Sequence, residues 1–272
     1  MKLSLCNEVI RELSFERQCA LAAGLGYRGL ELAPFTFGDD AWRMPAAKRA
    51  EIRKVCADHG LEVSGLHWLL AAPAGLSITS VDRAVWQKSV DLLRASVDLC
   101  AELGGTYLVH GSPAQRRVAS PDDASRAEEA WTLAGEQAAL TKVAYCIEPL
   151  ARPDCNFVNT LAEAADIVRR IGNPSLRIMV DTLAASLMEP EPVADAIRRW
   201  MPSGLVAHVQ FNDCNRRGPG QGDDRFAPVV KALRETGYRG WIAMEPFVYE
   251  PDGPTCAARM IGYVAGLLES CA

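Results

Sequence analysis

Eight times along its 272 residues the chain alternates a short apolar run with an amphipathic stretch, and this alternation leaves few folds open. The apolar runs are KLSLCN (2 to 7), GLELAPF (29 to 35), LEVSGLHWLL (61 to 70), TYLVHGS (106 to 112), VAYCIEPL (143 to 150), LRIMVDTL (176 to 183), LVAHVQFND (205 to 213) and WIAMEPF (241 to 247). None has an obvious wet face, as expected of parallel strands covered by helices. The segments between them have readable helix ends. SFERQCALAAGLG starts at Ser14 as an N-cap and stops at a glycine, PAAKRAEIRKVCADHG opens on Pro45 and closes at Gly60, and the segment from Ser80 to Leu103 ends in Gly104-Gly105. Eight strand-then-helix units predict a (β/α)8 TIM barrel, an α/β fold that takes about 250 residues, with residues 1 to 272 as a single domain. A doubly wound open sheet is the alternative, because periodicity does not reveal ring closure. No Gly-rich fingerprint follows the first strand. The GPGQGDD stretch (218 to 224) falls after the seventh and reads as a loop that lets backbone approach a ligand.

Bulk properties narrow the partners. A chain that is 49% hydrophobic and 23% charged is ordinary for a globular enzyme. A net charge of −5 without an extended basic run argues against nucleic acid. No stretch approaches the roughly 20 apolar residues of a membrane span, and MKLSLCNEVI lacks the pattern of a secretory signal. The nine cysteines are scattered, without a CxxC pair, which suits reduced thiols in the cytoplasm. The expected partner is a small molecule, with no nucleic acid and no membrane; a homo-oligomer is left open.

In such a barrel the active site lies at the C-terminal ends of the strands. The polar residues ending the apolar runs are Glu31, His67, His110, Glu148, Asp181, His208 with Gln210, and Glu245. Buried carboxylates need a counter-charge. Arg152, Arg177, Arg216 and Arg217 are candidate partners, but three acids converging from the fifth, sixth and eighth strands are met more simply by a divalent cation. GLVAHVQFND places His208 and Gln210 on one face of a strand. Three carboxylates with the Gln210 oxygen make an all-oxygen set suited to Mg²⁺ or Mn²⁺; with His208 instead, Mn²⁺, Co²⁺ or Zn²⁺ come into play. His67 and His110 end adjacent strands and are expected to face substrate.

Taken together, IEPL (147 to 150), MVDT (179 to 182), HVQ (208 to 210), NRRGPGQG (215 to 222) and GYRGWIAMEPF (237 to 247) resemble the xylose-isomerase-like TIM-barrel superfamily. The resemblance is greatest to the sugar isomerase/epimerase branch that includes ketose 3-epimerases and hydroxypyruvate isomerases. It implies one divalent metal ion on Glu148, Asp181, Gln210 and Glu245, with His208 one step deeper in a supporting layer. Glu31 is expected in that layer too, holding His67. It further implies that Glu148 and Glu245 move protons as an acid/base pair through a cis-enediolate, epimerising or isomerising a sugar, sugar phosphate or hydroxy-keto acid. Arg216 and Asp154 fall where the family contacts substrate, although Asp154 is shorter than the usual glutamate. Ketose epimerases tend to carry a histidine three residues after the metal aspartate, where this chain has Ala184, which puts a hexulose substrate in doubt. A keto-inositol-type dehydratase and a non-catalytic sugar-binding protein are the competing functions.

Overall fold

The computed structural model describes residues 1–270; Cys271 lies outside them. Each apolar run contributes a strand: β1 (Lys2–Cys6), β2 (Gly29–Leu32), β3 (Glu62–Leu66), β4 (Tyr107–His110), β5 (Ala144–Ile147), β6 (Leu176–Asp181), β7 (Val206–Phe211) and β8 (Trp241–Met244). Between and after them run α1 (Phe15–Leu25), α2 (Ala46–Asp58), α3 (Arg83–Leu103), α4 (Pro121–Thr141), α5 (Leu161–Ile171), α6 (Thr182–Met188), α7 (Val193–Trp200), α8 (Phe226–Glu235) and α9 (Gly253–Ser270). All strands are parallel and the sheet closes, β8 returning to β1 with Lys2 opposite Trp241 and Leu5 opposite Met244. This is the (β/α)8 barrel, and the open-sheet alternative is excluded.

The strands end earlier than the apolar runs. Pro34, Pro149 and Pro246 lie just beyond β2, β5 and β8, where a residue without an N–H cannot extend a ladder. The trailing residues thus become loops at the open end of the barrel, which is where polar side chains are displayed. Inside the ring, Tyr107, Val109, Cys146, Met179 and Trp241 form a small apolar cluster beneath that end. The larger core lies between strands and helices.

One local expectation changes. Ser14 occupies the N-cap position of α1 but makes no side-chain capping bond. In GPGQG, Gly218 and Gly220 pack closely against α9 and Gly222 against Asp213. A Cβ on Gly218 would collide with Met260, and Gly220, at φ +78°, leaves no room for one, the Tyr263 ring being 2.6 Å away. Among the described residues no helix is long and apolar enough to cross a membrane, and Cys6, Cys19, Cys56, Cys100, Cys146, Cys155, Cys214 and Cys256 are free.

Gly65 permits a close contact between β3 and β4. It stands opposite Tyr107, and a Cβ there would lie 2.5 Å from both the Tyr107 carbonyl oxygen and its ring. Gly65→Ala is expected to destabilise the protein by about 1–3 kcal/mol, the usual range for overpacking. An unchanged denaturation midpoint would show that β3 and β4 are not held this closely.

Candidate active site

Side-chain alternation carries four residues to the mouth of the barrel. With Cys146 and Met179 in the interior cluster, Glu148 and Asp181 point inward two residues later. Asp181 pairs in register with Gln210, and Gln210 with Ala243, two residues before Glu245. The result brings carboxylate oxygens of Glu148, Asp181 and Glu245 within 4.8 Å of one another, all three residues buried. Arg177 is engaged by the carbonyls of Leu205 and Gly204, Arg216 by Asp154, and Arg217 by Glu250. Among the described residues none of the three carboxylates has a lysine or arginine ion-pair partner.

Desolvation and mutual repulsion therefore decide their protonation. Burial, reinforced by Glu245 and Asp181, pushes Glu148 well above the usual carboxylate range. Burial also lifts Asp181 to about 6 against the hydrogen bonds it receives, and Glu245 to about 8 despite His67. Asp181 accepts from the Ala184 amide (2.7 Å), capping α6, and from Asn212 Nδ2 (2.6 Å). Glu245 Oε1 lies 2.9 Å from His67 Nδ1, while Oε2 is buried without a partner. Gly111 packs so tightly on Glu148 Oε2 that a Cβ there would overlap it.

His67 joins two acids, its Nε2 being 3.0 Å from Glu8 Oε2. Burial alone would lower its pKa, but Glu8, Glu245 and Glu31 raise it well above the usual value, so both ring nitrogens donate. One layer deeper, Glu31 is fully buried and its two oxygens are shared out. Oε2 accepts from Tyr107 Oη and lies 2.9 Å from His208 Nε2; Oε1 accepts from Gln210 Nε2 at 2.5 Å. Burial would push Glu31 up, but His208 and His67, with the Tyr107 bond, hold it down at about 2. His208 stacks on Tyr107 with ring centroids 3.8 Å apart. Gln210 Oε1, also buried, has no partner.

The cavity above this layer is lined by His67, Trp68, Gly111, Ser112, Pro113, Glu148, Leu150, Asp154, Arg216, Glu245 and Phe247. Arg216 spans it to Asp154 at 3.1 Å and lies over the Phe247 ring. Its backbone sits at φ +70°, fixed by Phe247 and Val248 amides donating to its carbonyl. Trp68 (φ +54°) and Ser112 (φ +46°) share this left-handed strain, which tends to gather at functional sites.

Most predicted residues meet here, with some corrections. His110 does not line the cavity. Tyr107 and Val109 face the axis, so His110 faces outward, its Nδ1 contacting Tyr145 Oη (2.6 Å) and Trp131 Nε1 (3.0 Å). Glu31 touches His67 only at 3.5 Å and is chiefly engaged by Tyr107, His208 and Gln210. Trp68 and Phe247 wall the cavity. Arg116 is fully buried and donates to the carbonyls of His110 and Glu148, tying β4 to β5. Glu8, Gly111 and Asn212 were missed. Glu8 continues the Ser4, Cys6 alternation just past β1, a signal present in LSLCNE.

The three carboxylates and the unpartnered Gln210 oxygen allow a divalent metal site of hard oxygen donors. Below about pH 4 each acid is protonated in folded and unfolded chains alike. Above that, the raised values of Asp181 and Glu245 mean that the folded state binds more protons, so stability falls as pH rises through about 6 and then about 8. Metal-free protein is thus expected to lose thermal stability between about pH 5 and 8, and Mn²⁺ to flatten that slope by displacing protons. A melting temperature that climbs with pH over this window, or an equal slope with and without Mn²⁺, would contradict the assignment.

Comparison with known proteins identifies the family and supports the fold. A "probable ketose 3-epimerase" of Synechocystis sp. is 24% identical over 258 residues, covering 91% of this chain and 83% of that one. A putative hydroxypyruvate isomerase of Homo sapiens is 30% identical over 101 residues, 36% of this chain and 34% of that one. The solved structure of an L-ribulose 3-epimerase superposes with a TM-score of 0.84 at 23% identity, covering 100% of this chain and 96% of that one, and supports the fold. The family model described as xylose isomerase-like TIM barrel matches residues 19–263, so the chain belongs to that family.

Proposed function

We propose that this protein is a divalent-metal-dependent epimerase or isomerase of small sugar-type hydroxy-carbonyl compounds, with Glu148 and Glu245 as its acid/base pair. The observation that carries the reading is the buried triad of Glu148, Asp181 and Glu245, crowded within 4.8 Å and, among the described residues, with no lysine or arginine at ion-pair distance, the buried Arg116 acting on Glu148 only from further off. The ketose 3-epimerase activity named for its relatives supports it. Glu148, Asp181, Gln210 and Glu245 would hold the ion, Mg²⁺ or Mn²⁺ being favoured by the all-oxygen set. When bound, it supplies Lewis-acid polarisation of a carbonyl and its neighbouring hydroxyl, acidifying the C–H between them.

The chain's own residues then move the proton. Glu148 and Glu245 stand just past the ends of β5 and β8, on different arcs of the ring, and reach a substrate between them from two sides. Each is a buried carboxylate that can take a proton from carbon or return one to it. One removes the proton and the other returns it: to the same carbon from the opposite face for epimerisation, or to the adjacent carbon for isomerisation. His67 fixes the Glu245 carboxylate through Oε1, and Gly111 gives Glu148 Oε2 its room. Arg216 and Asp154 offer a donor and an acceptor for substrate oxygens at the mouth, while Trp68, Leu150 and Phe247 exclude water.

Glu148→Gln and Glu245→Gln keep shape and remove proton transfer. Each is expected to lower turnover of ketopentoses or ketohexoses, and deuterium incorporation from solvent followed by NMR, by about 10²–10⁴-fold. Near-normal incorporation in both variants would remove the two-carboxylate scheme.

A further inference from the structure

A glutamine amide is a poor metal ligand unless something decides which end faces the ion. Its oxygen binds a cation, its nitrogen does not, and the two have nearly the same shape. The barrel interior supplies that decision. We propose that Glu31 is a positioning residue that fixes the Gln210 amide so that Oε1, never Nε2, faces the divalent ion; this rests on the reading of Gln210 as a ligand.

Three observations carry it. Glu31 Oε1 accepts from Gln210 Nε2 at 2.5 Å, and an acceptor-only carboxylate takes the NH₂ end of the amide alone. Gln210 Oε1 is consequently left buried and without a partner, on a side chain in register with Asp181. Glu31 itself is kept from turning away by Tyr107, which donates to its Oε2, and by His208, which stacks on Tyr107 with Nε2 2.9 Å from that oxygen. Both Glu31 oxygens are thereby occupied, so its work is to orient a ligand rather than to be one. His208 is explained by the same arrangement: it sits a layer below the ion, gripping the residue that grips Gln210.

The test exploits donor and acceptor balance, with Mn²⁺ affinity read from the free-ion EPR signal. Glu31→Gln replaces the acceptor-only partner with an amide that can meet either end of Gln210, and is expected to weaken Mn²⁺ binding about 10–100-fold, the range for outer partners of metal ligands. In the double variant Glu31→Gln/Gln210→Glu, the amide introduced at position 31 keeps its oxygen toward Tyr107 and His208. Its NH₂ group then donates to the carboxylate introduced at position 210, which has an oxygen for the ion whichever way it turns. Mn²⁺ affinity is expected to return to within about threefold of wild type, a recovery that a merely structural role for Glu31 would not produce. If Glu31→Gln does not fold, the double variant decides alone. Wild-type affinity in folded Glu31→Gln, or a double variant that binds no better or fails to fold, overturns the proposal. Gln210→Ala separates the two ideas: unchanged affinity there refutes the ligand assignment itself, whereas weakened affinity alongside a normal Glu31→Gln refutes only the positioning role.

Discussion

Desolvation of clustered carboxylates is the constraint to which the rest of this structure answers. Glu8, Glu31, Glu148, Asp181 and Glu245 are all buried at one end of the barrel, and the groups that meet them are imidazoles, a phenol, amides and backbone N–H groups. Removing an ionised carboxylate from water costs several kcal/mol unless charge or hydrogen bonds compensate. The lower layer is compensated internally, with Glu31 held by Tyr107, His208 and Gln210, and Glu8 by His67. The upper layer is compensated only in part: Asp181 and Glu245 receive hydrogen bonds, yet burial and the crowding of Glu148, Asp181 and Glu245 still raise all three above their ordinary range. A more fully bonded layer beneath a less compensated one is the arrangement expected where a cation is to be received on a rigid base.

This division explains why both histidines in the axis are structural partners of acids. His67 bridges Glu8 and Glu245, and His208 serves Glu31. The oxygens that remain free, Gln210 Oε1 and Glu245 Oε2, each belong to a side chain whose other polar atom is already tied to this lower layer. Orientation is thus built before any ligand arrives, which is the condition for strong electrostatic catalysis.

The fold was legible because its signals are local and repeated. Apolar runs between helices with glycine stops identify the strands one by one, and eight of them suffice to close a ring. Glu148, Asp181, Gln210 and Glu245 were legible because a polar residue at the end of an apolar strand stands out. What was lost depends on facing, which such strands conceal. His110 ends YLVH, where every residue is compatible with either side, and only Tyr107 and Val109 pointing inward show that the ring turns out toward Trp131. Glu8 was hidden because its run was read as ending at Asn7, one residue short. That the Arg116 guanidinium bonds the carbonyls of His110 and Glu148 is a tertiary fact without a sequence pattern.

The central claim is that one divalent cation is held by Glu148, Asp181, Gln210 and Glu245 together. Anomalous diffraction at the manganese absorption edge from crystals grown with Mn²⁺ tests it directly. The account predicts a single strong peak bonded to one oxygen or more of each of those four side chains, with Gln210 contributing Oε1 and His208 remaining on Glu31. A peak bonded instead to His208, or placed among Glu8, His67 and Glu245 with Glu148 and Asp181 uninvolved, would contradict it.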